Sequence, residues 1–312
     1  MSFGERFLVH PDLFPARRAG EPWGDRGLVL DLPGGPYRLT GLSAAQEQGA
    51  REAFGAFCQP AAGGGGVEVR FFAAAPGDFR PVDTRGWEYE LDVDHGPRAV
   101  RLAGLGLLAR IDWTEAGSGS ASALWTCEEG ERFPGVCENF VRVLLAYRLL
   151  ELGGVLLHSA GVVDRGRAVL FLGRSGAGKT TAAGISLASG REVLSDDLNA
   201  LLPGGMAGPG GGPSVARLPF AGDLRRAAVG AGAFPLRAVL RLEKSAAAAL
   251  APLSPALAAA TLLACSPYVN ADPHRREALL EVLERLAREI PARRLGFSLA
   301  GDFWSILDAE LP

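Results

Sequence analysis

The sequence predicts an α/β (α+β) protein in two parts, a β-rich N-terminal domain over residues 1–137 and a second domain over 138–312 where strands alternate with helices. Three observations lead there. The first part strings short apolar runs between Gly, Pro and Asp, the punctuation of strands and turns. A strongly apolar helix over 138–152 follows and stops at Gly153-Gly154. Beyond it a buried-strand pattern, a glycine-rich loop and a helix succeed one another without a break.

In the first part, strands are expected over 27–31, 36–40, 67–73, 87–93, 99–102, 107–113 and 123–127, arranged as a meandering antiparallel sheet. One helix interrupts them. Ser43-Ala44-Ala45-Gln46 has the form of a capping box, and the helix it opens runs to about Phe57, before Pro60 and the glycines of 63–66, which read as a flexible loop. In the second part, 167–172 reads as a buried strand and 180–189 as a helix stopped by Gly190, while 204–213 is a Gly/Pro-rich loop. Ser254 caps a helix with Pro255 in its first turn, running to about Cys265. A last helix spans 276–290 with Ala278, Leu279, Val282, Leu283 and Leu286 as its apolar stripe.

Composition narrows the partners. The 32 basic residues against 35 acidic ones leave a net charge of −3, without the polyelectrolyte signature of a nucleic-acid binder. The N-terminal residues lack a signal-peptide apolar region and no run of 18 apolar residues occurs, so no membrane association and a cytoplasmic location are expected. Cys58, Cys127, Cys137 and Cys265 show no C-x-x-C spacing and read as ordinary reduced residues.

The densest chemical signal is Gly173-Arg174-Ser175-Gly176-Ala177-Gly178-Lys179-Thr180, a full G-x-x-x-x-G-K-[ST] phosphate-binding pattern. Its Lys179 is one of two lysines in the chain, the other being Lys244; every other basic side chain is arginine. A compact ammonium follows a phosphate into the crook of a backbone loop where a planar guanidinium cannot. The glycines permit close backbone approach, so that N–H groups and the N-terminus of the next helix face the same anion. Thr180 then offers a hydroxyl to Mg²⁺, and Thr181 continues the first helical turn.

Upstream, 155–163 and 167–172 read as a hairpin joined by Asp164-Arg165-Gly166. Pairing Val163 with Arg167 would set His158 opposite Leu172, at the mouth of the phosphate loop. Downstream, 192–197 reads as a short strand ending in Asp196-Asp197, whose side chains would face opposite ways, one toward Mg²⁺ and one toward another group. Arg217, Arg225, Arg226 and Arg241 follow and could clamp a phosphate or an acidic substrate, although in so arginine-rich a chain most of them read as solvated surface.

Together, His158-Ser159-Ala160-Gly161-Val162, the loop 173–181 and Ser195-Asp196-Asp197 resemble the nucleotide domain of the HPr kinase/phosphorylases and their relatives, and more distantly that of the ATP-dependent phosphoenolpyruvate carboxykinases. The resemblance implies a P-loop domain with a mixed sheet and a kinase that uses ATP and Mg²⁺ to phosphorylate a hydroxyl, of a serine in a peptide or protein or of a small molecule. It implies that residues 173–181 bind the nucleotide phosphates, that Lys179 serves catalysis, and that Thr180 and Asp197 hold the metal. Asp196 would then be the base that takes the hydroxyl proton, with His158 near the γ-phosphate or the metal. The second signature that HPr kinases carry after the acids has no match in 204–220. Two other classes stay open: a nucleotide-binding regulator or scaffold without transfer, and a phosphorylase or hydrolase run through the same residues. A homo-oligomer is compatible with all three.

Overall fold

A computed structural model describes residues 2–12, 20–60, 66–83, 90–112, 121–206, 211–220, 222–224, 230–297 and 303–311. The chain divides into two compact units, Met1–Leu144 and Leu145–Pro312. Each is mixed α/β and is built on a mixed sheet.

In the first unit, strands β1 (Arg26–Leu30), β2 (Tyr37–Leu42), β3 (Cys58–Gln59), β4 (Val67–Ala73), β5 (Asp92–His95), β6 (Ala99–Gly104), β7 (Leu107–Asp112) and β8 (Ala121–Thr126) form one sheet in the order β3-β1-β2-β4-β8-β7-β6-β5. The expected antiparallel meander holds only from β8 to β5 and from β2 to β3. At the centre, β2 runs parallel to β4 and β4 parallel to β8. A parallel neighbour needs a long return connection. Here helix α1 (Ala44–Phe54) and the segment after it carry the chain back from β2 to β4. The α1 start matches its sequence signal: Ser43 Oγ accepts the Gln46 N–H at 3.2 Å, and Gln46 Oε1 accepts the Ser43 N–H at 3.1 Å. Phe54, Phe57, Phe71 and Phe133 are buried, the last two with ring centroids 5.8 Å apart. Part of the expected strand 87–93, the glycines 63–65 and residue 113 lie outside the described residues.

Helix α2 (Phe133–Glu151) begins earlier than the expected 138, because Pro134 suits a first helical turn, where no N–H is needed. It runs across the boundary between the units.

The second unit contains β9 (Val155–His158), β10 (Ala160–Asp164), β11 (Arg167–Leu172), α3 (Lys179–Ala188), β12 (Glu192–Ser195), β13 (Leu198–Leu202), β14 (Ser214–Ala216), β15 (Ala233–Lys244), β16 (Ala249–Pro252), α4 (Pro255–Ala264), α5 (Arg276–Glu289), β17 (Ala292–Phe297) and α6 (Phe303–Glu310). The sheet order is β12-β10-β11-β15-β14-β13-β9, with β17 paired to β15 and β16 to β17. β15 organises it. Its first residues pair with β14, its middle runs parallel to β11, and its end runs parallel to β17. Phe171, Ala182, Leu240, Phe303 and Trp304 belong to the core on the α3 and α6 side. On α5, Leu279, Val282, Leu283 and Leu286 are buried as expected, whereas Ala278 is exposed and Ala287 is buried instead.

Two expectations about the hairpin fail. Asp164 pairs with Arg167 and Val163 with Ala168, so the connection is the two-residue turn Arg165-Gly166, both at positive φ (49° and 75°). The run 155–163 is also not one strand. It switches partner at Ser159: β10 pairs with β11 and β12, while β9 pairs with β13, setting His158 opposite Leu198 and not Leu172.

The C-terminal helix α6 carries no strong signal in sequence, and a buried arginine ties it down. Arg237 on β15 is 5% exposed; its Nη1 lies 2.7 Å from Asp164 Oδ2, and its Nη2 donates to the carbonyls of Leu307 and Leu311 at the end of α6. Arg191 bonds the other Asp164 oxygen at 2.9 Å and stacks on the Trp304 ring at 3.9 Å.

Candidate functional site

The loop between β11 and α3 takes a shape that favours glycine at two places. Gly176 has φ 73° and Gly178, the residue preceding the first turn of α3, has φ 103°. A Cβ on Gly178 would stand 2.7 Å from the Phe297 ring, so the backbone runs closer to β17 than any side chain permits. Among the described residues no side chain caps the α3 N-terminus. Its first N–H groups, which have no intrahelical acceptor, therefore stay available to an anion together with the positive end of the helix dipole.

Lys179, at the first position of α3, is 7% exposed, and its Nζ donates to the carbonyls of Gly173 at 3.1 Å and Arg174 at 3.4 Å. Burial lowers its pKa, against the attraction of the Cys265 sulfur and the Asp197 carboxylate, which acts the other way. Thr180 beside it is exposed and Thr181 is half-buried. Arg174, Ser175 and Gly176 are exposed at the rim, and Ala177 bonds through its N–H to the Arg174 carbonyl at 3.0 Å.

Asp196 and Asp197 do not stand on a strand. They form the bend between β12 and β13, so strand alternation does not separate their side chains. Ser195 shapes that bend: its Oγ accepts the N–H groups of Asp197 (3.1 Å) and Leu198 (3.2 Å) and donates to the Phe220 carbonyl at 3.3 Å. The two acids end in different surroundings. Asp196 is 5% exposed, its Oδ1 accepts the Leu224 N–H at 3.2 Å, and a side chain at Gly222 would collide with it. Asp197 is half-buried, and its Oδ1 lies 3.2 Å from His158 Nδ1.

The pairing of His158 with Asp197 follows from the sheet. β9 and β10 separate at Ser159 at the same level where β12 and β13 separate at Asp196-Asp197, and the Ser159 N–H bonds the Asp197 carbonyl at 2.9 Å across the gap. Asn199 braces the junction from below through Nδ2 to Ser159 O (2.8 Å) and Ser159 Oγ (3.0 Å). The His158 N–H bonds the Cys265 carbonyl at 2.7 Å. Loop, histidine and Asp197 thus share one end of the sheet. Ser159 and Ser195 stand within the motifs 158–162 and 195–197 without a role read from sequence, and nothing local places Asn199 or Cys265 at this end.

Of the four arginines singled out in sequence, Arg241 comes to this end, opposite Leu172 in the β11/β15 pair. Arg217 is engaged with Glu192 and lies over the Phe234 ring at 5.2 Å. Arg225 and Arg226 lie outside the described residues. Lys244 is exposed at the end of β15.

Residues 137–311, more than half of the chain, match the family described as ScmC, SynChlorMet cassette protein. The chain belongs to the ScmC family. No curated protein matches it. The stretch that matches this ScmC family begins within α2 and contains every residue of the candidate site. Among the described residues no helix is long and apolar enough to cross a membrane.

Proposed function

We propose that this protein is an HPr-kinase-like phosphotransferase that moves the γ-phosphoryl group of ATP to a hydroxyl, of a serine in a peptide or protein or of a small molecule. The observation that carries the reading is the meeting of a glycine-shaped, uncapped helix N-terminus and a buried lysine with the His158–Asp197 pair at one end of the sheet. The loop N–H groups and Lys179 would receive the phosphates, with the buried Lys179 as the least hydrated of these contacts.

The donor set suits Mg²⁺. Thr180 and Asp197 offer hard oxygens, and among the described residues no group of three or more His, Cys, Asp or Glu gathers as a richer metal cage would. A cation that keeps water and substrate phosphate as most of its ligands needs no more from the protein. Thr180 and Asp197 would hold it, and it would neutralise charge on the phosphates. Asp196 would take the proton of the acceptor hydroxyl as that oxygen bonds to the γ-phosphorus and the bond to the bridging oxygen of ADP breaks. His158 would orient Asp197 through Nδ1. Burial of a second acid behind the metal-side one favours transfer over a pure nucleotide switch, which needs no base.

Calorimetric titration with Mg-ATP, followed by ADP release under single-turnover conditions, tests the proposal. Saturable binding that disappears in Lys179→Ala is expected; a folded wild-type protein that fails to bind Mg-ATP sinks it.

A further inference from the structure

Beside the loop lies a cavity of about 240 Å³ whose walls differ in kind. Gly173 and Arg174 form one side, Arg241 another, and the apolar face of α4, with Leu257 and Ala260, closes it together with Cys265. Among the described residues no carboxylate lines it. Arg174 is exposed and, among the described residues, makes no ion pair; Arg241 has only a long contact, 3.8 Å, to Glu243, which is shared with Arg294. Two arginines therefore line a small space with mostly apolar walls, one without an ion pair among the described residues and one held only loosely by a shared carboxylate.

The cavity also adjoins the transfer machinery. Cys265, in its wall, accepts the His158 N–H at its carbonyl, 2.7 Å away. A group seated there lies beside the first residues of the loop, Gly173 and Arg174, on the β15 and α4 side, and His158 is joined to its wall through Cys265.

We infer that this cavity is the acceptor subsite and that it recognises a substrate carrying an anionic group beside a compact apolar body. This rests on the phosphotransferase reading and deepens it, by giving the acceptor a chemistry. Arg241 holds the anion, assisted by Arg174, and the α4 face covers the apolar part. A charge-assisted bond from a planar fork in a half-buried cavity discriminates an acid from its neutral isostere.

Phenylacetate and phenylacetamide, equal in shape and different in charge, are suitable probes. Titrated by NMR into the full chain, free and loaded with Mg-ADP, the acid is expected to bind at least about tenfold more tightly than the amide, the yield of one charge-assisted hydrogen bond. Arg241→Gln should erase that preference, and Ala260→Trp, which fills the cavity, should block both probes. Equal binding of acid and amide, or no saturable binding of either, overturns the inference. So does a loss of Mg-ADP affinity in Arg241→Gln, which would assign the cavity to the nucleotide. Mg-ADP binding by the wild-type protein, read on the same samples, separates the two levels: its absence refutes the phosphotransferase, whereas its presence without acid preference refutes only the subsite.

Discussion

His158 Nδ1 and Asp197 Oδ1 stand 3.2 Å apart although 38 residues of chain intervene between the strand end at 158 and the bend at 197, and it is the simultaneous splitting of two strand pairs that brings them together. Neither residue is buried from water. The contact therefore orients the pair more than it stabilises the fold, as exposed ion pairs contribute little. We expect His158→Gln to cost less than ~1.5 kcal/mol of stability and yet to depress transfer clearly. Urea unfolding beside turnover would decide; lost stability with turnover preserved would return His158 to a structural role.

Lys179 is a residue whose removal should separate stability from activity. Its pKa is lowered, chiefly by burial, so the folded state holds the ammonium less well than the unfolded chain does. Below the folded pKa the burial cost is fully present, and it falls away as pH rises through that value toward the unfolded ~10.4. Lys179→Met should thus leave stability at pH 7 equal or slightly higher, while lowering ATP turnover by on the order of 10²-fold or more. A melting temperature that drops sharply, or turnover that survives, contradicts the assignment.

The two acids should give different phenotypes. Asp196→Asn keeps the oxygen that accepts the Leu224 N–H, so Mg-ATP binding should persist while transfer is lost. In Asp197→Asn the Mg²⁺-dependent part of binding should weaken, and the His158 ring signals should shift. Calorimetry with and without Mg²⁺, together with a single-turnover assay, distinguishes them, and identical behaviour of the two variants would undo the division of roles.

Gly178→Ala is expected to fail for two reasons at once. The φ of 103° strains any side chain by ~1–3 kcal/mol, and the new Cβ meets Phe297 at 2.7 Å. A companion Phe297→Leu change relieves the contact but not the dihedral, so rescue should be partial. Full recovery of nucleotide affinity in the double variant would show that sterics alone decide the loop.

Cys137 lies fully buried in α2, and desolvation pushes its thiol far up. The folded protein retains that proton where the unfolded chain, at about 8.5, releases it. Stability is therefore complete below pH 8.5 and declines above it, by up to ~1.4 kcal/mol per pH unit for one thiol. Cys137→Ala should flatten the decline between pH 8.5 and 10 in urea midpoints, and iodoacetamide should spare Cys137 until unfolding. Rapid labelling of the native protein at that position would contradict its burial.

Local chemistry was legible in the sequence wherever one short segment carries the whole cause. The Ser43 capping box, the Ser254 cap with Pro255, the strand Arg167–Leu172 and the helix that stops at Gly190 appear where propensity, capping and glycine placement put them, because each depends on residues a few positions apart. The glycine-rich loop and the paired acids were visible for the same reason. Pairing was not. The hairpin register slipped by one residue because nothing local distinguishes a two-residue from a three-residue turn at Asp164-Arg165-Gly166. Strand 155–163 appeared continuous because a change of hydrogen-bonding partner at Ser159 leaves the apolar pattern intact.

By itself, then, the sequence determined the element types, the phosphate-loop pattern and the presence of a histidine and two acids near it in the chain. Only the tertiary structure decided that His158 meets Asp197 through β13 and not through the loop strand, that Arg241 alone among the described candidate arginines reaches the loop, and that Arg237 is a buried brace for α6. The physical reason is that strand partners, and the fate of any one arginine among thirty, are set by contacts between segments far apart in the chain, whose energies no local pattern encodes.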